Sequence, residues 1–256
     1  MTESADIADS TAPEVDLVLR CQADRVVLEV RDHHSETMVS EWSRTWAANE
    51  DDGQSVTELD PQLWWNAFRE CWQEAISVHS AAAIAGLWIT GAEDVIVCVD
   101  ADGELLRPAL CGPDPRMDPD AKWLLSQLPS AAADWERITG STPSSAQMVS
   151  KCSWLHRSEV DLWNRIALIA PLSAWLATKL AGASDEGSPR SMARPVISAG
   201  LAESTGLWSV IDSQYSRLIC QIIDSNRDLT ACLPRVAIGG QTVATGLWNG
   251  IPVICG

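Results

Sequence analysis

Residues Ile89–Arg116 read ITGAEDVIVCVDADGELLRPALCGPDPR. The Gly-Ala-Glu-Asp start is a turn, Val95–Val99 is an apolar run with β-branched residues, and a second short apolar run ends at Cys111. Asp102-Gly103 lies between the two runs. An Asp-Gly pair there marks a hairpin, because glycine accepts the positive φ that tight turns require. The spacing therefore predicts a turn, a buried strand, a tight turn and a second strand, closed by a proline-rich loop that carries Asp114 and Arg116.

Outward from this hairpin the chain alternates strands and helices. Leu17–Asp32 predicts two strands around a polar turn. Asp60-Pro61 opens a helix to about Ser80, since a side-chain acceptor followed by proline satisfies a helix start. Its apolar face is Trp64, Phe68, Cys71, Trp72, Ala75, Ile76 and His79. A short helix is expected at Lys122–Leu128, and loop from Pro129 to Ala146. A helix follows around Lys151–His156, another capped by Ser158, and a third from Pro171 to Gly182. Ser209–Asn226 reads as an amphipathic segment, and Ile251–Cys255 as a closing strand. Residues 47–57 and 184–194 read as loops, and residues 1–16 as a disordered lead, so the domain is expected over 17–256.

Composition excludes several classes. The 256 residues are 46% hydrophobic and 21% charged, with a net charge of −17. Such a balance argues against nucleic acid and anionic membrane surfaces, which need clustered Lys and Arg. The N-terminus has no basic flank and no apolar core, so it does not read as a secretion signal. The eight cysteines are scattered, form no CxxC, and sit in apolar runs, which predicts reduced thiols in a cytoplasmic protein. The thirteen tryptophans outnumber the single Tyr and single Phe, and packing accounts for most of them. Two local constellations suggest other chemistry: Cys152 with His156 as a nucleophile pair, and His33-His34 with Glu36 as metal ligands. Each is matched by a plainer reading as packing or surface residues.

The order of segments resembles the FGGY carbohydrate kinases, xylulokinases above all. The resemblance rests on Leu17-Val18-Leu19, Asp60-Pro61-x-x-Trp64-Trp65, Ile89–Arg116, Lys151-x-x-Trp154-Leu155, the helix after Pro171, Trp208-Ser209, Leu233-Pro234, and Thr245-Gly246-Leu247 through Gly250-Ile251-Pro252-Val253. It implies an α/β actin-like (RNase H-like) first domain, a mixed sheet flanked by helices. It also implies ATP- and Mg²⁺-dependent phosphate transfer to a sugar hydroxyl, with most of the sugar site in this domain and most of the ATP site in a second.

The family's polar positions are largely replaced. Its phosphate-binding Gly-Ile-Asp-x-Gly-Thr falls on Arg20, Cys21, Gln22, Ala23, Asp24 and Arg25. Gln22 is a poor Mg²⁺ ligand and Asp24 adds negative charge beside the expected phosphates. Its Gln-Met-His turn falls on Ala92, Glu93 and Asp94, where two carboxylates either bind sugar hydroxyls or stand in water. Its Trp-Asn-Asp-x-Arg keeps Asp114 and Arg116, as substrate contacts or as a local salt bridge. Its acidic contacts fall on Ser173-Ala174-Trp175 and on Arg194-Pro195-Val196.

By the resemblance the catalytic base lies beyond Gly256, so no catalytic residue, retained phosphate site or metal site is expected here. The substrate candidates are Glu93, Asp94, Asp114 and Arg116. The expected function is a xylulose-kinase-like first domain inactive by itself, binding no ATP or Mg²⁺ alone. A binding or regulatory module, or half of a split kinase, is the alternative. Expected partners are a sugar, a second kinase domain or partner protein, or a second copy of the chain across the face a second domain would cover.

Overall fold

The computed structural model describes residues 14–46, 57–183, 194–237 and 243–256. The loops expected at 47–57 and 184–194 fall almost wholly outside these, as do the first thirteen residues of the N-terminal lead. In chain order the elements begin β1 (Val15–Cys21), β2 (Arg25–Asp32), β3 (Met38–Thr45), β4 (Glu58–Leu59), α1 (Gln62–Val78), β5 (Ile84–Gly91), β6 (Ile96–Val99) and β7 (Ala109–Leu110). Then come α2 (Asp118–Leu125), α3 (Ala132–Thr139), α4 (Met148–Ser158), α5 (Val160–Trp163), β8 (Leu168–Pro171), α6 (Leu172–Ala183), β9 (Val196–Ile197) and α7 (Ala199–Ser204). Last are β10 (Trp208–Ser209), β11 (Gln214–Tyr215), α8 (Arg217–Ile223), β12 (Arg235–Val236), β13 (Ala244–Trp248) and β14 (Ile251–Cys255).

Eight strands form a mixed sheet in the order β12-β9-β14-β5-β1-β2-β3, with β13 on β14. The strands from β12 to β1 run parallel, while β1–β2, β2–β3 and β13–β14 are antiparallel. In β1, Val15, Leu17, Leu19 and Cys21 are buried and alternate with more exposed residues, the period of a strand with one face on a core. Helices α1 and α6 cover this sheet, joined by Lys179 Nζ donating to Gln62 Oε1 at 2.7 Å.

A second, antiparallel sheet, β4-β7-β6-β8, stands between two cores. Along β6, Val97 and Val99 join the core under the main sheet, while Ile96 and Cys98 join a second core built on α2, α3, α4 and α8. A strand buried on both faces reads as a continuous apolar run. The hairpin is as expected: Gly103 has φ +81, its N–H donates to Asp100 O at 3.1 Å, and Leu106 N donates to Cys98 O at 3.0 Å.

Several elements depart from expectation. Helix α2 begins at Asp118, earlier than expected, with Pro119 and the acids Asp118 and Asp120 in its first turn and no side-chain cap. The expected loop after Pro129 contains α3, held by Asp134 accepting from Ser130 N at 2.9 Å, by left-handed Gly140, and by fully buried Trp135. Ser158 ends α4, and α5 starts after Glu159 with no side-chain cap. The segment 209–226 is a hairpin followed by α8, which Ser216 caps by accepting from Ile219 N. Ser213 at φ +50 breaks the run, leaving Val210, Ile211 and Leu218 exposed. Ile76 of α1, expected inward, is also exposed.

All eight cysteines are free and buried. Eight tryptophans are buried and Trp123 is exposed, so packing is the main use of that residue type. No helix among the described residues is long and apolar enough to cross a membrane.

Candidate functional site

The parallel strands bring several loops to one edge of the sheet. Cys21 pairs with Gly91, and Cys255 with Ile89 and Ile197. The residues that follow these strands, Gln22, Ala92, Gly256 and Ser198, are therefore neighbours at the carboxyl ends. In open α/β sheets ligands sit outside that edge.

The turn after β5 is tightly constrained. Gly91 has φ +81, and a Cβ there would lie 2.3 Å from Cys21 O, so no other residue allows the turn to abut β1. Ala92 also has positive φ, and Val95 N donates to its carbonyl at 3.1 Å. Glu93 is exposed and Asp94 half-buried. A Cβ on Gly112 would lie 3.7 Å from Asp94 Oδ2, so the two loops meet there.

Asp114 and Arg116 form a bidentate pair. Arg116 Nη2 donates to Asp114 Oδ2 at 2.6 Å, and its Nε lies 3.0 Å from the same oxygen. Asp114 Oδ1 also accepts from Arg116 N at 2.9 Å, fixing the short 3₁₀ turn that follows. Asp114 is fully buried while the Arg116 side chain is 40% exposed. Burial raises the Asp114 pKa, but hydrogen bonds from Arg116 and the charges of Arg116 and Lys151 outweigh it and hold the carboxyl below its ordinary value. Asp114 is thus enclosed and paired, and Arg116 is the member of the couple that reaches solvent.

Arg116 Nη1 also binds Glu58 Oε1 at 2.6 Å, the same oxygen that Arg107 Nη2 binds at 2.7 Å. Arg107 pairs further with Glu159. Both guanidinium groups lie over the Trp154 ring, at 4.9 Å for Arg116 and 5.3 Å for Arg107. Leu-Arg-Pro, Asp-x-Arg and Lys-x-x-Trp are therefore parts of one network that fixes the loop packed against the Asp94 turn.

Lys151 is the residue at this site that the sequence reading did not single out. It is fully buried, and its ammonium donates to Asp94 O. Burial pushes its pKa down to about 8, against the opposing charges of Asp94, Cys111 and Asp114. A lone lysine inside Met148-Val149-Ser150-Lys151-Cys152 was the available signal, since an unpaired buried charge is costly. Ser173 is buried at the amino end of α6, with its hydroxyl against the Cys255 thiol.

The β1–β2 turn is pinned from below. Trp64 Nε1 donates to Gln22 O at 2.7 Å and Trp46 Nε1 to Ala23 O at 3.1 Å. Gln22 Oε1 accepts from Arg25 Nε, and Arg25 lies 3.9 Å from Asp24. Arg194 lies before β9, at the opposite end from the crevice, so that segment does not join this site.

The other constellations take plainer forms. Cys152 is enclosed, while His156 lies edge-on to Trp163 and 3.8 Å from Asp224. His33 pairs with Asp16 at 2.9 Å, and no cluster of three or more metal-ligating side chains occurs among the described residues.

Residues 26–256 match the model of the FGGY family of carbohydrate kinases, N-terminal domain. A xylulose kinase of Streptomyces coelicolor is 30% identical over 189 residues, covering 73% of this chain and 36% of the relative. One from Streptomyces rubiginosus is 29% identical over 192 residues, with the same coverage of 73% and 36%. The chain thus spans about a third of these relatives' length. Among solved structures, the xylulose kinase of Bifidobacterium adolescentis superposes with a TM-score of 0.79 at 18% identity, covering 96% of this chain and 53% of that one. Glycerol kinase of Plasmodium falciparum, solved with ADP, gives 0.76 at 16% identity, covering 95% and 48%.

Proposed function

The chain belongs to the FGGY family of carbohydrate kinases, as its N-terminal domain, and from that premise we propose that it is the sugar-binding part of a xylulose-type kinase that does not transfer phosphate by itself. The observation that carries this reading is the meeting of the Gly91–Asp94 turn and the Gly112–Arg116 loop beside the carboxyl edge of the parallel strands. Glu93 and Asp94 accept from ketose hydroxyls, and Arg116 donates to them. Asp114 and Lys151 act by position: Asp114 holds Arg116, and Lys151 holds the carbonyl of Asp94. In the assembled enzyme such a site orients the sugar hydroxyl that receives phosphate from ATP, which is the larger part of catalysis in phosphoryl transfer.

The β1–β2 turn does not fit a nucleotide triphosphate with its Mg²⁺. Phosphate cradles need glycine backbone and a metal-organising carboxylate. Here the tip carries side chains at Ala23 and Asp24, and Gln22 spends its amide oxygen on Arg25. The ATP site is therefore assigned to a partner domain. The eight buried free thiols fit a reducing compartment such as the cytoplasm.

Calorimetry tests both parts. A ketopentose is expected to bind the chain, and ATP–Mg²⁺ to give no heat. Arg116→Ala is expected to weaken the sugar about tenfold, the loss of one charge-assisted hydrogen-bonding group. Unchanged sugar affinity in that variant removes Arg116 from the site, and micromolar ATP binding refutes the assignment of nucleotide elsewhere.

A further inference from the structure

Acidic residues outnumber basic ones 35 to 18 in this chain. Yet one cavity of about 330 Å³ is lined by Arg194, Arg217 and Arg235 and by no Asp or Glu. It lies beside the amino-terminal ends of β9 and β12, whereas the sugar crevice opens at the carboxyl ends. Arg194 is fixed, with Nε donating to Leu233 O at 2.6 Å and Nη2 to Thr230 O at 2.9 Å. Neutral carbonyls hold its geometry, and it forms no ion pair among the described residues. Arg235 Nε reaches only Arg194 O, at 3.4 Å, and among the described residues none of the three arginines lies within 4.0 Å of a carboxylate. Asp228 acts electrostatically on Arg194 and Arg217 without forming an ion pair, while its Oδ1 accepts from Thr230 N at 3.1 Å and Thr230 Oγ1 at 2.6 Å, so one carboxylate offsets part of the charge of three guanidinium groups.

The cavity also has an aromatic side. Tyr215 lines the same cavity, and its hydroxyl is buried with no hydrogen-bond partner. Arg194 acts electrostatically on that phenol, so the two groups are close. Trp208 lines the cavity too, edge-on to Tyr215 at 5.3 Å, and offers an apolar wall. Guanidinium groups lining one cavity without carboxylates in its wall match phosphate oxygens by charge and by their planar donor geometry.

We propose that this cavity is a binding site for a small phosphate monoester: the arginines take the phosphate, and Trp208 and the Tyr215 ring take the carbon skeleton. The site is separate from the sugar crevice and independent of the function assigned to it.

The test is calorimetric titration of the full chain with phenyl phosphate and with inorganic phosphate. Phenyl phosphate is expected to bind with a submillimolar constant that weakens with salt. Arg217→Ala and Arg235→Ala, both at exposed side chains, are each expected to weaken it about tenfold with melting temperature unchanged. Tyr215→Phe, which keeps the aromatic wall, is expected to leave it unchanged. Sugar binding in all three variants should match the parent. No binding of either probe, or affinity unchanged in both arginine variants, overturns the proposal. Equal affinity for inorganic phosphate overturns the role of the aromatic wall and leaves a site for the free ion.

Discussion

Lys151 shows how much of the site depends on single residues. Its ammonium sits among Asp94, Cys111 and Asp114, and burial holds its pKa near 8 instead of the ordinary 10.5. Between those values the unfolded chain keeps a proton that the folded chain has released, so the residue's contribution to stability rises with pH across that window. Its full size is roughly 3 kcal/mol. Urea unfolding of the parent and of Lys151→Met should therefore show the parent gaining on the variant from about pH 8 to pH 10. A difference that stays flat would mean the ammonium is better solvated than its burial implies. Asp114 has the same sign in an acid window, although its ionised form is the favoured one and that of Lys151 the penalised one. Its folded pKa is depressed, so its stabilisation is present above the unfolded value near 4 and fades as pH falls through the folded one. At this scale the sequence was informative about Asp114 and Arg116, because an acid and a base two residues apart in a proline-rich loop have few other partners. It was less so about which of them faces solvent, which depends on Glu58 and Trp154 from distant segments.

Among elements, the hairpin of Ile89–Arg116 was legible because its signals are local: an apolar run, Asp-Gly, and a second run. Helix α3 was not, since its eight residues are bounded by proline and serine clusters and depend on Trp135 filling the second core, a tertiary effect. The run 209–226 failed for the converse reason: its apolar residues suggested one helix, while Ser213 and the Ser209–Asp212 hydrogen bond at 2.9 Å make a hairpin first. The turn that ends β5 gives a test at this level. Gly91→Ala combines a left-handed φ with a Cβ 2.3 Å from a backbone oxygen that cannot move aside, and should cost about 2–5 kcal/mol in unfolding free energy. Gly250→Ala has φ +82 but nothing within 4 Å, and should cost about 1–2 kcal/mol. Equal costs for the two would show that the contact with Cys21 is relieved by a backbone shift, and that the crevice edge is softer than its geometry implies.

The whole molecule makes one use of a residue type that composition alone leaves ambiguous. Eight cysteines in 256 residues suit a disulfide framework by number, but their scatter through apolar runs suits a reduced core, and the fold buries every one of them unpaired. Burial pushes the thiol of Cys71 up to about 11 and those of Cys98, Cys111, Cys220 and Cys255 to about 12, and raises Cys21, Cys152 and Cys232 as well. An acid whose folded pKa is raised contributes stability that is fully present below the unfolded value, near 8.5 for a thiol, and is lost as pH rises above it. Each thiol then withdraws about 1.4 kcal/mol per pH unit, so that together they exceed a typical domain stability of about 5–15 kcal/mol within one or two units. Lys151 opposes them as a single group. In reductant the protein is therefore expected to unfold cooperatively between about pH 9 and pH 10.5, with thiolate absorbance and circular dichroism changing together. At neutral pH a thiol-specific disulfide reagent should label none of the eight on the timescale that labels the denatured chain. Thiolates that appear well before the loss of ellipticity, or several thiols that react at once in the native protein, would show that water reaches the core by local opening rather than by global unfolding.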